Sequence, residues 1–243
     1  GRIIKFNPKL VNSNRYITLL GDGSLGGKGR GLAFLSNFIE NVYLKKLIPD
    51  LHVAIPKTAV IGMNEFDNFL ENNNLYDVIF EDKEYNHVLE AFRTARLSEQ
   101  LRNNLRKYLQ VMTKPLAVRS SGLFEDSLNQ PFAGVYSTYL LPNNHPDIER
   151  RLEDVENAIK LVFASIYSPE SRAYFNAIDY MIEEEKMAVI IQEVIGNEHN
   201  GRYYPEISGV AQSYNFYPFS YIQPEDGFAV TAIGLGPTSL GKR

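Results

Sequence analysis

Apolar residues recur along this chain in two rhythms, helical and strand-like, and their order sets the expected architecture. Residues 15–20 (RYITLL) make a short apolar run that leads into a glycine-rich stretch at residues 21–31. From Leu32 the positions Leu35, Phe38, Ile39, Val42 and, after a small shift, Leu47 recur at helical spacing. Residues 52–61 (HVAIPKTAVI) read as the next strand. Asn64 can cap a helix over residues 65–71, with Asp67 in its first turn favouring the dipole, and Asn72-Asn73-Asn74 is a turn. Residues 75–96 are mixed and point to no single element. Ser98 heads a helix with Glu99 in its first turn and the apolar stripe Leu101, Leu105, Tyr108, Leu109 and Met112, a core face. Residues 115–118 (PLAV) form a short buried strand that stops at Arg119-Ser120-Ser121-Gly122; a second strand follows at residues 135–141, which makes a hairpin. Pro146 suits the first turn of a long helix carrying Ile148, Leu152, Val155, Ile159, Val162, Phe163 and Ile166 on one side. Ser168-Pro169-Glu170 restarts a helix expected to end near Ile182, and Glu183-Glu184-Glu185 reads as a solvated turn. From Met187 strands dominate, at residues 187–195 (MAVIIQEVI), 206–213 and 227–235. Helices with a hairpin before residue 187 and strands after it predict an α+β chain of two lobes, residues 1–186 and 187–243.

Composition narrows the function classes. A net charge of −4 argues against a general nucleic-acid binder. The absence of cysteine excludes disulfides, thiolate metal sites and a cysteine nucleophile. The four histidines, His52, His87, His145 and His199, are widely spaced and lack a ligand pattern. No stretch approaches the ~20 apolar residues of a membrane span and no signal-peptide core opens the chain, so a cytoplasmic protein without a membrane partner is expected. Gly1-Arg2-Ile3-Ile4 and Gly241-Lys242-Arg243 both read as cut ends of a longer chain.

Candidate chemistry gathers in three blocks. Lys28 sits where the glycine stretch passes into helix, a place where free N–H groups and a positive dipole end suit a phosphate. Gly21-x-Gly23-x-x-Gly26 fits a dinucleotide fingerprint, but the following strand carries no acidic residue at its end to hold a ribose. A Walker A loop fails because its first glycine falls on Asp22 and Gly29 follows Lys28. The remaining reading is a lysine delivered to ATP phosphates by a flexible glycine loop. The second block is Arg119 with the serine- and glycine-bearing hairpin loop, a shape suited to holding an anion or simply a solvated bend. In the third, adjacent Gln192 and Glu193 interrupt an apolar strand and face opposite sides of it, as a wet edge strand or as an interlobe strand that reads an adenine edge. Lysine and arginine on one phosphate chain supply the neutralisation and orientation that phosphoryl transfer needs.

Gly26-Gly27-Lys28-Gly29, Ile55-Pro56-Lys57-Thr58, Val118-Arg119-Ser120-Ser121, Glu125-Asp126-Ser127, Phe132-Ala133-Gly134-Val135-Tyr136-Ser137-Thr138, Gln192-Glu193-Val194-Ile195 and Ser208-Gly209-Val210-Ala211 occur here in the order of one family. The chain resembles the N-terminal ATP-grasp nucleotide-binding domain of phosphoenolpyruvate synthase and pyruvate phosphate dikinase, from about Gly21 to Gly236. The resemblance implies a two-lobed ATP-grasp fold with mixed and antiparallel sheets flanked by helices, its C-terminal lobe truncated. It implies that Lys28 and Arg119 contact ATP phosphates and act in transfer, and that Ser120, Gly134, Val135 and Thr138 belong to the phosphate-covering loop. Gln192, Glu193, Val194 and Ile195 are then expected at the adenine and ribose. The implied partners are ATP, a swivelling domain whose histidine takes the phosphoryl group, and a barrel domain that binds pyruvate; a homodimer through those domains is compatible. Mg²⁺ ligands are expected past Arg243, and this fragment alone is expected to hold part of an ATP site without complete turnover. Glu225 and Asp226 read as a turn, and Glu125 and Asp126 as partners that pin neighbouring N–H groups. Alternatives are a related dikinase domain with a glucan, water or an antibiotic hydroxyl as acceptor, or a nucleotide-sensing module without catalysis.

Overall fold

A computed structural model describes residues 2–7, 9, 16–42, 49–81, 84–123, 125, 135–218 and 220–235. The chain divides into two compact units, Gly1–Val194 and Ile195–Arg243. The first is built on a mixed six-stranded sheet of order β1-β2-β3-β6-β4-β5, formed by Arg2–Lys5, Tyr16–Gly21, Thr58–Ile61, Met187–Glu193, Leu116–Gly122 and Thr138–Leu141 respectively. β1, β2 and β3 run parallel, and β6 is antiparallel to both β3 and β4, as β4 is to β5. All seven residues of β6 are buried, as its near-continuous apolar sequence requires of a strand covered on both faces. Met187–Glu193 thus belongs to the first unit, and the division falls at Val194/Ile195 rather than at the change of composition at residue 187.

Strand alternation sorts the core into two layers. Met187, Val189 and Ile191 face the larger one, shared with Ala59, Ile61, Leu116 and Val118. Ala188 and Ile190 face the smaller one, with Ile17, Val60 and Leu25. The smaller layer is covered by α1 (Gly26–Asn41). The larger layer is covered by α2 (Met63–Asn72), α4 (Tyr85–Thr94), α5 (Glu99–Val111) and α6 (Ile148–Ala164). A short α3 (Tyr76–Glu81) precedes α4, and α7 (Pro169–Ala177) follows α6 through a 3₁₀ turn. Phe163 is its aromatic centre, with ring centroids 5.1 Å from Phe66 and 5.5 Å from Phe69.

Several element ends differ from expectation. α1 begins at Gly26, about a turn and a half before its apolar spacing starts at Leu32, so Lys28 lies inside its first turn, at the helix start where the sequence puts it. β4 continues through Arg119-Ser120-Ser121-Gly122, because β6 pairs with it as far as Met187 opposite Gly122. Gly62 rather than Asn64 is the N-cap of α2, and α7 ends at Ala177. The mixed segment before Ser98 holds two helices, α3 and α4. Ser98 and Ser168 cap as their sequences require, accepting from Leu101 N and Ser171 N. Ser98 also donates to Glu65 on α2 at 3.0 Å. Ser98→Ala is expected to cost about 1 kcal/mol, a drop of a few degrees in a thermal melt.

The second unit is described by itself. It carries two hairpins, β7 (Asn197–His199) with β8 (Arg202–Tyr204), and β9 (Ile207–Gln212) with β10 (Phe228–Ile233). Pro224–Asp226 is a 3₁₀ turn closed by a reciprocal cap between Gln223 and Asp226.

Candidate functional site

The glycine stretch forms a pinned turn rather than a flexible loop. The carbonyls of Gly21, Asp22 and Ser24 accept from the N–H groups of Gly62, Asn64 and Met63, so the turn closes the free end of α2. Gly23, with φ +111°, makes the bend. The chain then enters α1, whose first turn lies against the end of β4. Ser121 Oγ donates to Leu25 O at 2.7 Å and accepts from Gly29 N at 3.0 Å, satisfying one N–H at the helix start. A Cβ on Gly26 would come within 1.9 Å of Ser121 O, and one on Gly27 within 1.7 Å of Glu125 O. These glycines permit the close approach that places Lys28.

Lys28 is three-quarters buried and forms an ion pair with Glu125, which is 4% exposed. Its Nζ also donates to Ser120 Oγ at 3.4 Å, and the Ser120 hydroxyl in turn donates to Glu125 Oε1 at 2.8 Å. Glu125 Oε2 accepts from Gly122 N at 2.8 Å, so Glu125 does pin a neighbouring N–H. Arg119 adjoins Ser120 on β4 and shares a face with Ser121 two residues on, the face that α1 covers. Register places Arg119 opposite Thr138 on one side and Ile190 on the other, while Ala117 is opposite Gln192. Arg119, Thr138 and Gln192 therefore occupy the same sheet face, the one α1 covers, while the Lys28 ammonium reaches Ser120, which alternation places on the other face of β4. Gln192 is held in place, its Nε2 donating to Thr58 Oγ1 at 3.0 Å while Thr58 donates to Pro56 O at 2.8 Å. That leaves the amide oxygen of Gln192 as an acceptor.

Other expected positions lie apart. Glu193 faces the opposite layer, where its carboxylate pairs with Lys114 at 2.8 Å and its field raises the pKa of the buried Tyr108 phenol behind burial itself. The backbone N–H groups of Glu193 and Val194 are taken by Lys57 O and Pro115 O, both at 2.9 Å. Val135 packs against the larger core layer, and Ile195 opens the second unit with an exposed side chain. Gly134 and Asp126 lie outside the described residues.

Glu183 and Glu184 are exposed in a 3₁₀ turn, as expected of the acidic run, but Glu185 is a second buried carboxylate. Glu185 is 2% exposed; its Oε1 accepts from Leu123 N at 3.0 Å, and Tyr136 is its side-chain partner. Burial pushes its pKa up to about 7 against the opposing pull of the Tyr136 hydroxyl and the Leu123 N–H, with the Glu125 charge adding to the rise. Gly122 is tight here too, a Cβ on it meeting Glu185 Oε1 at 2.6 Å. Among the described residues no three His, Asp or Glu side chains gather to hold a metal ion. Asp226 caps its own turn, accepting from Gln223 N at 2.9 Å. Among the described residues no helix is long and apolar enough to cross a membrane.

Over 149 residues, 61% of its length, the chain is 26% identical to the "Uncharacterized phosphotransferase YvkC" of Bacillus subtilis (strain 168). The match covers 17% of that protein, so the chain spans a small part of the relative's length. Residues 22–239 match the family described as "Pyruvate phosphate dikinase, AMP/ATP-binding domain", and the chain belongs to that family.

Proposed function

We infer that the chain is the ATP-binding part of an ATP-grasp dikinase resembling phosphoenolpyruvate synthase. In this reading it binds ATP so that a phosphoryl group can pass to a histidine on a separate swivelling domain and then to pyruvate. The observation that carries it is that Arg119 and Gln192 share the sheet face covered by α1, the helix whose first turn supplies Lys28 at the end of β4. Two cations there can neutralise a polyphosphate and an amide acceptor can meet an adenine amine. The first unit then serves as one ATP-grasp lobe and the second belongs to the other. Mg²⁺, were it bound with the nucleotide, would supply further charge neutralisation at the phosphates. What this chain's own residues do is bind and orient. Lys28 and Arg119 hold phosphate oxygens in a partly buried site where their charges are weakly screened.

The test is ATP titration by calorimetry on the native chain and on Lys28→Ala and Arg119→Ala. Each substitution is expected to lower ATP affinity by more than ~1.5 kcal/mol, the scale of a charge-assisted contact. Unchanged affinity in both variants would reject the site.

A further inference from the structure

The ATP-site reading gives no part to Glu125, yet this is the most heavily partnered side chain beside Lys28. Its carboxylate is 4% exposed and makes three contacts of different kinds. Oε2 accepts from Gly122 N at 2.8 Å, Oε1 accepts from the Ser120 hydroxyl at 2.8 Å, and Oε1 also takes the Lys28 ammonium. Two of the three fasten the carboxylate to the end of β4, the strand that carries Arg119, whatever Lys28 does. Glu125 is thus a fixed post against which the lysine leans.

An ammonium has three donors. Glu125 takes one, Ser120 lies at 3.4 Å from the nitrogen, and the side chain keeps 26% of its surface open. A lysine with a free four-carbon stem must give up rotamer freedom to meet a phosphate, and a stem already anchored by its ammonium has given it up beforehand. A carboxylate that competed for Lys28 would need to release it; one tied down by Gly122 and Ser120 instead directs the remaining donor outward. A lysine–glutamate ion pair is used in this way on ATP phosphates in protein kinases, an unrelated fold.

We propose that Glu125 is the positioning residue of Lys28, setting the direction of its ammonium toward a nucleotide phosphate without touching the nucleotide. The proposal rests on the ATP-site reading above. ATP is titrated into the native chain, E125Q, E125D, K28A and the double variant K28A/E125Q, each checked for native folding by thermal melt. E125Q is expected to weaken ATP binding about tenfold. E125D, which keeps the charge on a shorter stem, should recover part of that loss. In the K28A background E125Q is expected to change affinity less than about twofold, because a positioning role has nothing left to position. E125Q binding ATP as tightly as the native chain, or more tightly, would overturn the proposal, the latter by showing a competitor of the phosphate. So would an equal loss in the K28A background. Should E125Q fail to fold, E125D with K28A/E125D closes the same cycle. ATP binding by the native chain with no effect of Glu125 rejects positioning alone; no ATP binding by the native chain rejects the ATP-site reading and this proposal with it.

Discussion

Gly27→Ala is expected to destabilise the chain by about 3 kcal/mol or more and to remove most of its affinity for ATP. The added Cβ would stand 1.7 Å from the carbonyl oxygen of Glu125, and a backbone atom cannot swing aside as a side-chain tip can. Either the start of α1 lifts off β4 or the chain around Glu125 moves. Both outcomes separate Lys28 from Ser120 and Glu125. Gly26→Ala meets the same obstacle at 1.9 Å from Ser121 O and adds strain from φ +71°. Gly31→Ala is the control: nothing lies within 4 Å of its Cβ, and alanine favours the helix by up to about 1 kcal/mol over glycine. Urea unfolding of the three variants would separate the two classes, and native stability in Gly27→Ala would show that the close approach is not required.

The second large effect is one of pH. Glu185 titrates near 7 in the folded chain because burial disfavours its charge, against 4.5 as the reference for the unfolded chain. Between those values the folded form holds a proton that the unfolded form has lost, so stability falls as pH rises from about 4.5 to about 7 and is level on either side as far as this group is concerned. The loss over that window is about 3 kcal/mol. Glu185→Gln removes the titration while keeping an oxygen for the Leu123 N–H. The variant is expected to exceed the native chain in stability by up to about 3 kcal/mol above pH 7, with the gap closing below pH 4.5. Chemical unfolding at pH 4.5, 6 and 8 measures it; a gap independent of pH would assign the effect to packing instead.

Two helices of the larger core layer, α5 and α6, were legible because one residue spacing decides them. The stripe from Leu101 to Tyr108 and the one from Leu152 to Phe163 face inward where period 3.6 puts them, and Ser98 and Ser168 cap where their hydroxyls precede the stripe. The opposite facing of Gln192 and Glu193 was legible for the same reason, since alternation is fixed once a strand is recognised. What sequence did not reveal were features set by contacts distant along the chain. The glycines of Gly26-Gly27-Lys28-Gly29 have poor helix propensity, and how far α1 reaches back into them is set by the pairing of Ser121 with Leu25 and Gly29. Glu185 ends a run of three acids that local composition assigns to water. Only the position of Leu123 and Tyr136, far earlier in the sequence, buries it. Glu125 was legible as an N–H partner, because a carboxylate three residues after a glycine can reach back; its ion pair with Lys28 joins residues 97 apart in the chain.

The placement of β6 also bears on how the chain is made. β3 and β4 do not pair with each other; each pairs with β6, whose sequence begins only at Met187. A ribosome adding on the order of 5–20 residues each second therefore exposes two half-sheets, β1-β2-β3 and β4-β5, with open inner edges, for several seconds before the strand that joins them emerges. Such edges are templates for pairing with other chains. Long-range pairing of this kind slows folding and leaves the nascent first unit open to aggregation until its last strand is inserted.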